Sequence, residues 1–345
     1  MLIINNAEAQ ELLSMEDCID ALEGAYKQLA HGEAVYRPRI DVYGPSQHPQ
    51  GEFYRWGSME AALNNPPAFA IRMKSDMLYW VNKGDVHTEE KFCVEPGKFC
   101  GLVLLFSTAN GEPLAIINDG FIQHARVAAT ACLAAKYLAK DSSSILGMYG
   151  SGGMARSHAV GFCAIRPIKK IKVYSPTREH CTAYAEEMAK ELGVDVEPLT
   201  DPEEVAKDVD ILAACTDSVV PVVKKKHLRD GLHISAVLPS ELEHGVVDGC
   251  DVVVRHLDKR AQMYIMPMVE ENYKRLSKPK LADFDKLYSS RQEDVPTLAE
   301  LVAGQCPGRS NGRQISFFDN VPGSGLQFAA VAYRLYELAR KGGRG

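Results

Sequence analysis

The run Gly150-Ser151-Gly152-Gly153-Met154-Ala155 has the spacing G-x-G-x-x-A. The first glycine permits a tight turn, and the second lets a pyrophosphate approach the backbone. Ala155 lets helix and strand pack closely, while the free N–H groups of a helix N-terminus face the anion. The apolar stretch Ile145–Tyr149 precedes the run and a helical pattern follows it, the context a dinucleotide site requires. The next strand should end near Tyr174, where an acid would hold the ribose 2′-hydroxyl of NAD. Instead, Ser175-Pro176-Thr177-Arg178 offers two hydroxyls and a guanidinium. That chemistry suits an extra phosphate, so NADP is expected ahead of NAD.

A second group of residues is basic where bases are unexpected. Arg126 stands in a segment, 121–140, that holds neither Asp nor Glu. A guanidinium packed there needs an anion from another segment or from a ligand, and the residues alone leave both open. Lys74 shares the polar face of a strand pattern with Arg72, opposite Phe69, Ile71 and Met73, and such a face is ordinarily solvated. The spacing of Arg37 and Arg39 would aim both at one side of a strand. His158, His244 and His256 lack ligand spacing, and no Cys–His cluster suggests zinc, so no metal is expected. Glu89-Glu90 reads as surface, and Met263, Met266 and Met268 as core filler.

These residues need elements to position them. Ser14 with Asp17 opens a helix that Gly32 stops. Residues 101–106 and 114–117 read as a hairpin turned at Asn110-Gly111, and the alanine-rich stretch 121–139 as a tightly packed helix. Beyond it, strands at 145–149, 170–174, 194–197, 210–215, 232–238 and 251–254 alternate with helices at 153–164, 178–192 and 202–207. This alternation means α/β architecture with a parallel sheet covered on both faces. Residues 328–340 form an amphipathic helix, whereas 82–91 and 258–310 show no readable period.

Composition sets the class. The chain of 345 residues is enough for about two domains. It is 46% hydrophobic and 24% charged, which is ordinary for a globular protein. Lys+Arg 39 against Asp+Glu 45 gives −6, which argues against a broad grip on nucleic acid or anionic lipid. No apolar stretch approaches the ~20 residues of a membrane span. Acids at Glu8, Glu11, Glu16, Asp17 and Asp20, without a basic n-region, speak against a signal peptide. Nine cysteines with no C-x-x-C pair read as reduced thiols in a cytoplasmic protein.

Taken together, the chain resembles the ornithine cyclodeaminase/mu-crystallin family. The resemblance is carried by Arg126-Val-Ala-Ala-Thr with Leu138-Ala139, by the glycine run, by Arg166-Pro-Ile-Lys and Val173-Tyr-Ser, and by Cys215-Thr216-Asp217-Ser218. It continues through Gly231-Leu-His-Ile-Ser-Ala-Val237 to Leu298–Gly304, Pro307-Gly-Arg309 and Ile315-Ser-Phe-Phe-Asp319. It implies a Rossmann-type doubly wound parallel sheet (126–313) inserted in a mixed α+β substrate-binding and dimerisation domain (1–125 plus 314–345). It also implies that Arg39 (or Arg37), Lys74 and Arg126 surround a substrate carboxylate beside the nicotinamide. Cofactor contacts then fall on Arg126, Gly150, Gly152, Gly153, Met154, Ala155, Ser175, Thr177, Arg178, Thr216, Ala236, Val237, Leu238 and Asp319.

Two departures stand out. Cyclodeaminases carry an Asp shortly after the fifth strand of the parallel sheet; here the shorter stretch Leu238-Pro-Ser-Glu-Leu-Glu243 leaves Glu241 or Glu243 as the substitute. Residues 76–100, with Trp80, His87 and Thr88, look inserted beside Lys74, either to shape substrate choice or as a surface loop. The expected activity is that of an NAD(P)-dependent oxidoreductase acting on the C–N bond of a small α-imino or α-amino acid, with Lys74 polarising the reacting group or relaying a proton. A cyclodeaminase acting on ornithine or lysine, and a non-catalytic binder of NADP and a small acid, are the alternatives. A homodimer is expected from the resemblance.

Overall fold

The computed structural model describes residues 1–49, 51–83, 86–94, 99–258, 261–284 and 295–343. Among the described residues, nine strands make a mostly antiparallel sheet. Its order is Leu2–Ile4, Pro113–Asn118, Leu102–Ser107, Ala68–Lys83, Phe53–Leu63, Ile40–Pro45 and Gln262–Ile265. Ala34–Tyr36 also pairs with Phe53–Leu63, and Val86–Phe92 with Ala68–Lys83. The expected hairpin is there, as Leu102–Ser107 against Pro113–Asn118.

The strand carrying Lys74 reverses the expected sidedness. Ala68, Ala70, Arg72, Lys74, Asp76 and Leu78 form its buried face, while Phe69, Ile71 and Met73 are half-buried. The helix Gly325–Lys341 covers this sheet from the inner side and packs its apolar stripe there. Arg72 and Lys74 are therefore interior groups that must find partners. Period-two alternation tells that two faces differ, but not which one meets the helix.

A second sheet of seven parallel strands has the order Asp195–Pro198, Lys170–Tyr174, Ile145–Tyr149, Ile211–Ala214, His233–Ala236, Ser316–Asp319 and Val252–Arg255. The helices Asp119–Leu138, Gly153–Ile165 and Arg178–Leu192 accompany it. Gly193 closes the last of these at φ 68°, the left-handed conformation glycine allows. Two short strands depart from the expected division of the chain. Ser316–Asp319 lies inside the parallel sheet, although the resemblance puts 314–345 in the other unit, and Gln262–Ile265 returns to the edge of the antiparallel one. Four-residue strands carry too little pattern to reveal their partners.

Other expectations are corrected. Residues 202–204 make a 3-10 turn opened by Asp201, which accepts from the Glu203 N–H, and the chain continues through i→i+3 turns (Lys207 N–H to the Glu204 carbonyl) to Asp208 at φ 53° instead of forming a helix to 207. Residues 82–91 belong largely to a long hairpin, Ala68–Lys83 against Val86–Phe92. Met263, Met266 and Met268 are exposed at 44%, 47% and 77%: Met263 lies on an edge strand, Met266 directly follows it, and Met268 lies in the first turn of the next helix. Arg37 and Arg39 lie outside strands and part company. Arg37 holds Glu60 and Ser58, whereas Arg39 turns to Asp41. Arg37 is thereby committed elsewhere. Among the described residues no helix is long and apolar enough to cross a membrane.

Candidate active site

The parallel register aligns the carboxyl ends of the strands. Tyr149 pairs with Tyr174 and Ala214, Ala214 with Ala236, and Ala236 with Asp319. Gly150, Ser175, Thr216, Val237 and Leu238 follow directly from these ends, so one crevice edge collects residues from widely separated parts of the chain. Ligands of open α/β sheets bind at such an edge.

The glycine turn fits a pyrophosphate. Gly150 has φ +105°, and a Cβ there would overlap the Cys215 carbonyl, so the turn requires glycine. A Cβ at Gly152 would meet open space. The helix Gly153–Ile165 begins there with no side-chain cap and no acid in its first turn, leaving its N–H groups for an anion. Met154 lies in that first turn, and Ala155 is fully buried against the core. Arg156 donates to the Ser151 carbonyl and pairs with Glu187 at 2.6 Å, which fixes the turn from outside. At the second strand's end, Ser175 and Thr177 are half-buried; the Thr177 hydroxyl makes no cap bond, and Arg178 is exposed, one Nη donating to the Pro198 carbonyl at 3.3 Å.

Lys74 lies in a buried charge network. Its Nζ is 2.7 Å from Asp41 Oδ1 and 3.8 Å from Asp76 Oδ2. Arg39 meets the other Asp41 oxygen at 2.9 Å. Arg55 donates from Nε and Nη2 to Asp76 at 3.0 and 2.5 Å and faces Glu89 at 3.9 Å. Burial, then Arg55 and Arg39, push the Lys74 ammonium well below the usual lysine range, although Asp41 and Asp76 pull it back. Burial would raise Asp41, but Arg39, Lys74 and Arg55 outweigh it and hold the carboxyl low. Gly57 makes the contact possible, because a Cβ there would overlap Lys74 Cε and Asp41 Oδ1.

Arg126 is 4% exposed. Its Nη1 donates to Gln327 Oε1 at 2.6 Å and its Nη2 to Gln123 Oε1 at 2.9 Å, and the guanidinium stacks on the Phe328 ring at 5.0 Å. Among the described residues no carboxylate lies within ion-pair distance of it. The neighbouring Arg72, by contrast, is matched by Asp119 at 2.5 Å. Burial, then Arg72, pull Arg126 down to about 9, and Arg39 contributes to the same effect. A cation is left without an anion. The same helix carries His124, whose ring fills the space a Gly153 Cβ would need and packs on Phe99. Burial brings His124 to about 4, so it is neutral near pH 7.

Two further segments tie the antiparallel unit to the crevice edge. Thr88, on the long hairpin, bridges Ser218, so that part of the expected insertion reaches the parallel unit. The helix Pro267–Phe284 packs on the turn 239–241 and on Ile40–Pro45, with Tyr273 against Tyr43 and Phe53. Trp80 meets Phe53 edge-on. The side chain of His87 lies outside the described part.

Glu241 and Glu243 are engaged elsewhere. Glu241 is fully buried and accepts from the Thr216 N–H (2.6 Å) and hydroxyl (2.7 Å), and from the N–H groups of Val237 (2.9 Å) and Leu238 (2.8 Å). Burial pushes it up to about 7 against those donors. Glu243 accepts from the Lys225 N–H at 2.6 Å. The two oxygens of Glu241 are thus both engaged by the loops after the strands. Sequence reasoning missed Asp41, Arg55, Asp76 and His124; the only sequence signal was that Asp41 and Asp76 stand two residues from Arg39 and Lys74.

Comparison with known proteins agrees with this architecture. The chain is 28% identical over 255 residues to the Δ1-pyrroline-2-carboxylate reductase of Bacillus cereus, covering 71% of this chain and 73% of that one. It is 27% identical over 344 residues to the alanine dehydrogenase of Archaeoglobus fulgidus, covering 98% and 95%. The structure of Thermococcus litoralis Δ1-pyrroline-2-carboxylate reductase in complex with NADH and L-proline superimposes with a TM-score of 0.77 at 27% identity, over 99% of this chain and 98% of that one. The model of the ornithine cyclodeaminase/mu-crystallin family matches residues 1–343, and the chain belongs to that family.

Proposed function

We propose that this protein is an NAD(P)-dependent oxidoreductase that acts on the C–N bond of a small α-imino or α-amino acid, with imine reduction as the direction the charges favour. The observation that carries this reading is Arg126, a buried guanidinium without a carboxylate partner, on the helix that also touches the glycine turn through His124. A substrate carboxylate completes it, assisted by Arg39, and two donors fix both position and angle. The glycine turn would hold the pyrophosphate of a bound dinucleotide, whose nicotinamide would supply the hydride. Lys74 then stands at the reacting nitrogen. Its low proton affinity lets it give a proton to the nitrogen as the C=N electron pair moves there, and Asp41 keeps the ammonium aimed. The relatives named pyrroline-carboxylate reductase and alanine dehydrogenase support this chemistry.

Ser175, Thr177 and Arg178, with no acid at the strand's end itself, support NADP over NAD. We also infer a homodimer. The outer face of the antiparallel sheet aligns exposed Ile3 with half-buried Ile116, Leu104 and Ile71 across four strands, with Phe69 beside Phe106, and a second copy would cover that face. The test is oxidation of NADPH or NADH with Δ1-pyrroline-2-carboxylate, and with short 2-oxo acids plus ammonia. Turnover should occur in the wild type and vanish in Lys74→Met, while dinucleotides still raise the melting temperature of the variant. Unchanged turnover in Lys74→Met removes Lys74 from the reaction.

A further inference from the structure

Arg126 is held by amides. A guanidinium presents five N–H donors in a fixed fork. Gln327 Oε1 takes one from Nη1 at 2.6 Å, and Gln123 Oε1 takes one from Nη2 at 2.9 Å and the Nε proton at 3.3 Å. Among the described residues, one N–H on each terminal nitrogen is therefore left without an acceptor, the pair that the two oxygens of a carboxylate accept. A Cβ at Gly323 would come within 2.7 Å of Nη1 and 3.0 Å of Nη2, so glycine there keeps a side chain off that edge. Asp119, whose charge reaches Arg126, is committed to Nε and Nη2 of Arg72 and to the Gly101 N–H.

We propose that Gln327 and Gln123 are positioning residues that aim Arg126 at the substrate carboxylate while leaving its charge unmet. The inference rests on the function proposed above and adds to it the two side chains that keep Arg126 available. Gln327 is 0% exposed, and its amide fits in one orientation. Its Oε1 also accepts the Ser324 N–H at 3.1 Å, while Nε2 donates to Thr130 Oγ1 at 2.6 Å. The Thr130 hydroxyl is itself given to the Arg126 carbonyl at 2.7 Å. Turning the amide would set its NH2 against the donors of Arg126 and Ser324. Phe328, next along the helix, offers its ring to Arg126 at 5.0 Å and to Arg72 at 5.3 Å, again without charge. Glutamate matches glutamine in size. In either place it would form an ion pair with Arg126, and the substrate carboxylate would have to compete with it.

The experiment follows two substitutions of equal size on the full chain, Gln327→Glu and Gln123→Glu. The substrate is whichever of Δ1-pyrroline-2-carboxylate and 2-oxobutanoate plus ammonia turns over with reduced cofactor. Each variant should raise its KM on the order of a hundredfold. The kcat should stay within about twofold, because the weakened contact holds substrate and transition state alike. Dinucleotide affinity, read from the rise in melting temperature, should not change. Glutamate keeps both accepting oxygens against Arg126, so a role in packing alone predicts an unmoved KM, and that result overturns the proposal. Loss of dinucleotide and acid together in both variants also overturns it. Where Gln327→Glu folds poorly, the half-buried Gln123 decides through its own variant. A binding arm separates the proposal from the reaction. With oxidised cofactor present, L-proline or alanine should raise the melting temperature of the wild type and of neither variant. That pattern without turnover keeps the proposal and removes the reductase reading. Turnover in the wild type with the same KM in both variants does the reverse. A wild type that is neither stabilised nor active removes both.

Discussion

At the scale of single residues, Lys74 is defined by what surrounds it. A lysine this buried is tolerable because Asp41 and Asp76 receive its charge, while Arg39 and Arg55 stop those acids from trapping the proton. Gly57 is the small residue that lets Lys74 and Asp41 meet. Gly57→Ala should therefore cost about 1–3 kcal/mol of stability through overpacking. It should also lower kcat for imine reduction more than it raises the dinucleotide KM, because the displaced group is Lys74. Chemical denaturation and steady-state kinetics read the two effects separately. Lys74 and Arg126 were legible as candidates in the sequence. Their partners were not, since pairing Arg55 with Asp76 needs the register of two strands 21 residues apart in sequence.

At the scale of elements, the turn 239–241 stands out. Its glutamate ties the loops after two parallel strands to each other, by three N–H groups and one hydroxyl. In the unfolded chain a glutamate titrates near 4.5, whereas in the fold burial raises Glu241 to about 7. The folded state thus holds this proton more tightly. The corresponding stability is fully present below about 4.5 and lost as pH rises through about 7. Protonation also removes acceptor capacity from the two loops. The dinucleotide KM should accordingly rise as pH falls through about 7, and Glu241→Gln should show a raised KM with neither pH dependence. KM and melting temperature followed from about pH 5 to pH 8 check both signs. Most parallel strands and their helices were readable because strand–helix alternation is a local pattern. Ser316–Asp319 was not, because its neighbours at 233–236 and 252–255 arrive from far along the chain.

At the scale of the molecule, the antiparallel sheet has one face under the helix Gly325–Lys341 and another of half-buried aliphatic side chains. If a second copy covers that face, Ile71→Asp combined with Leu104→Asp should halve the mass in light scattering while dinucleotide-induced stabilisation persists. An unchanged mass would place the dimer contact elsewhere. The sequence by itself determined the glycine turn, the parallel α/β unit and the basic residues worth watching, because each is written in a few consecutive or periodic positions. Tertiary structure alone decided that Lys74 faces inward, that Asp41 and Asp76 receive its charge, and that among the described residues no carboxylate lies within ion-pair distance of Arg126. Those facts depend on which face a helix covers and on which distant side chains a buried charge meets, and neither is encoded in spacing along the chain.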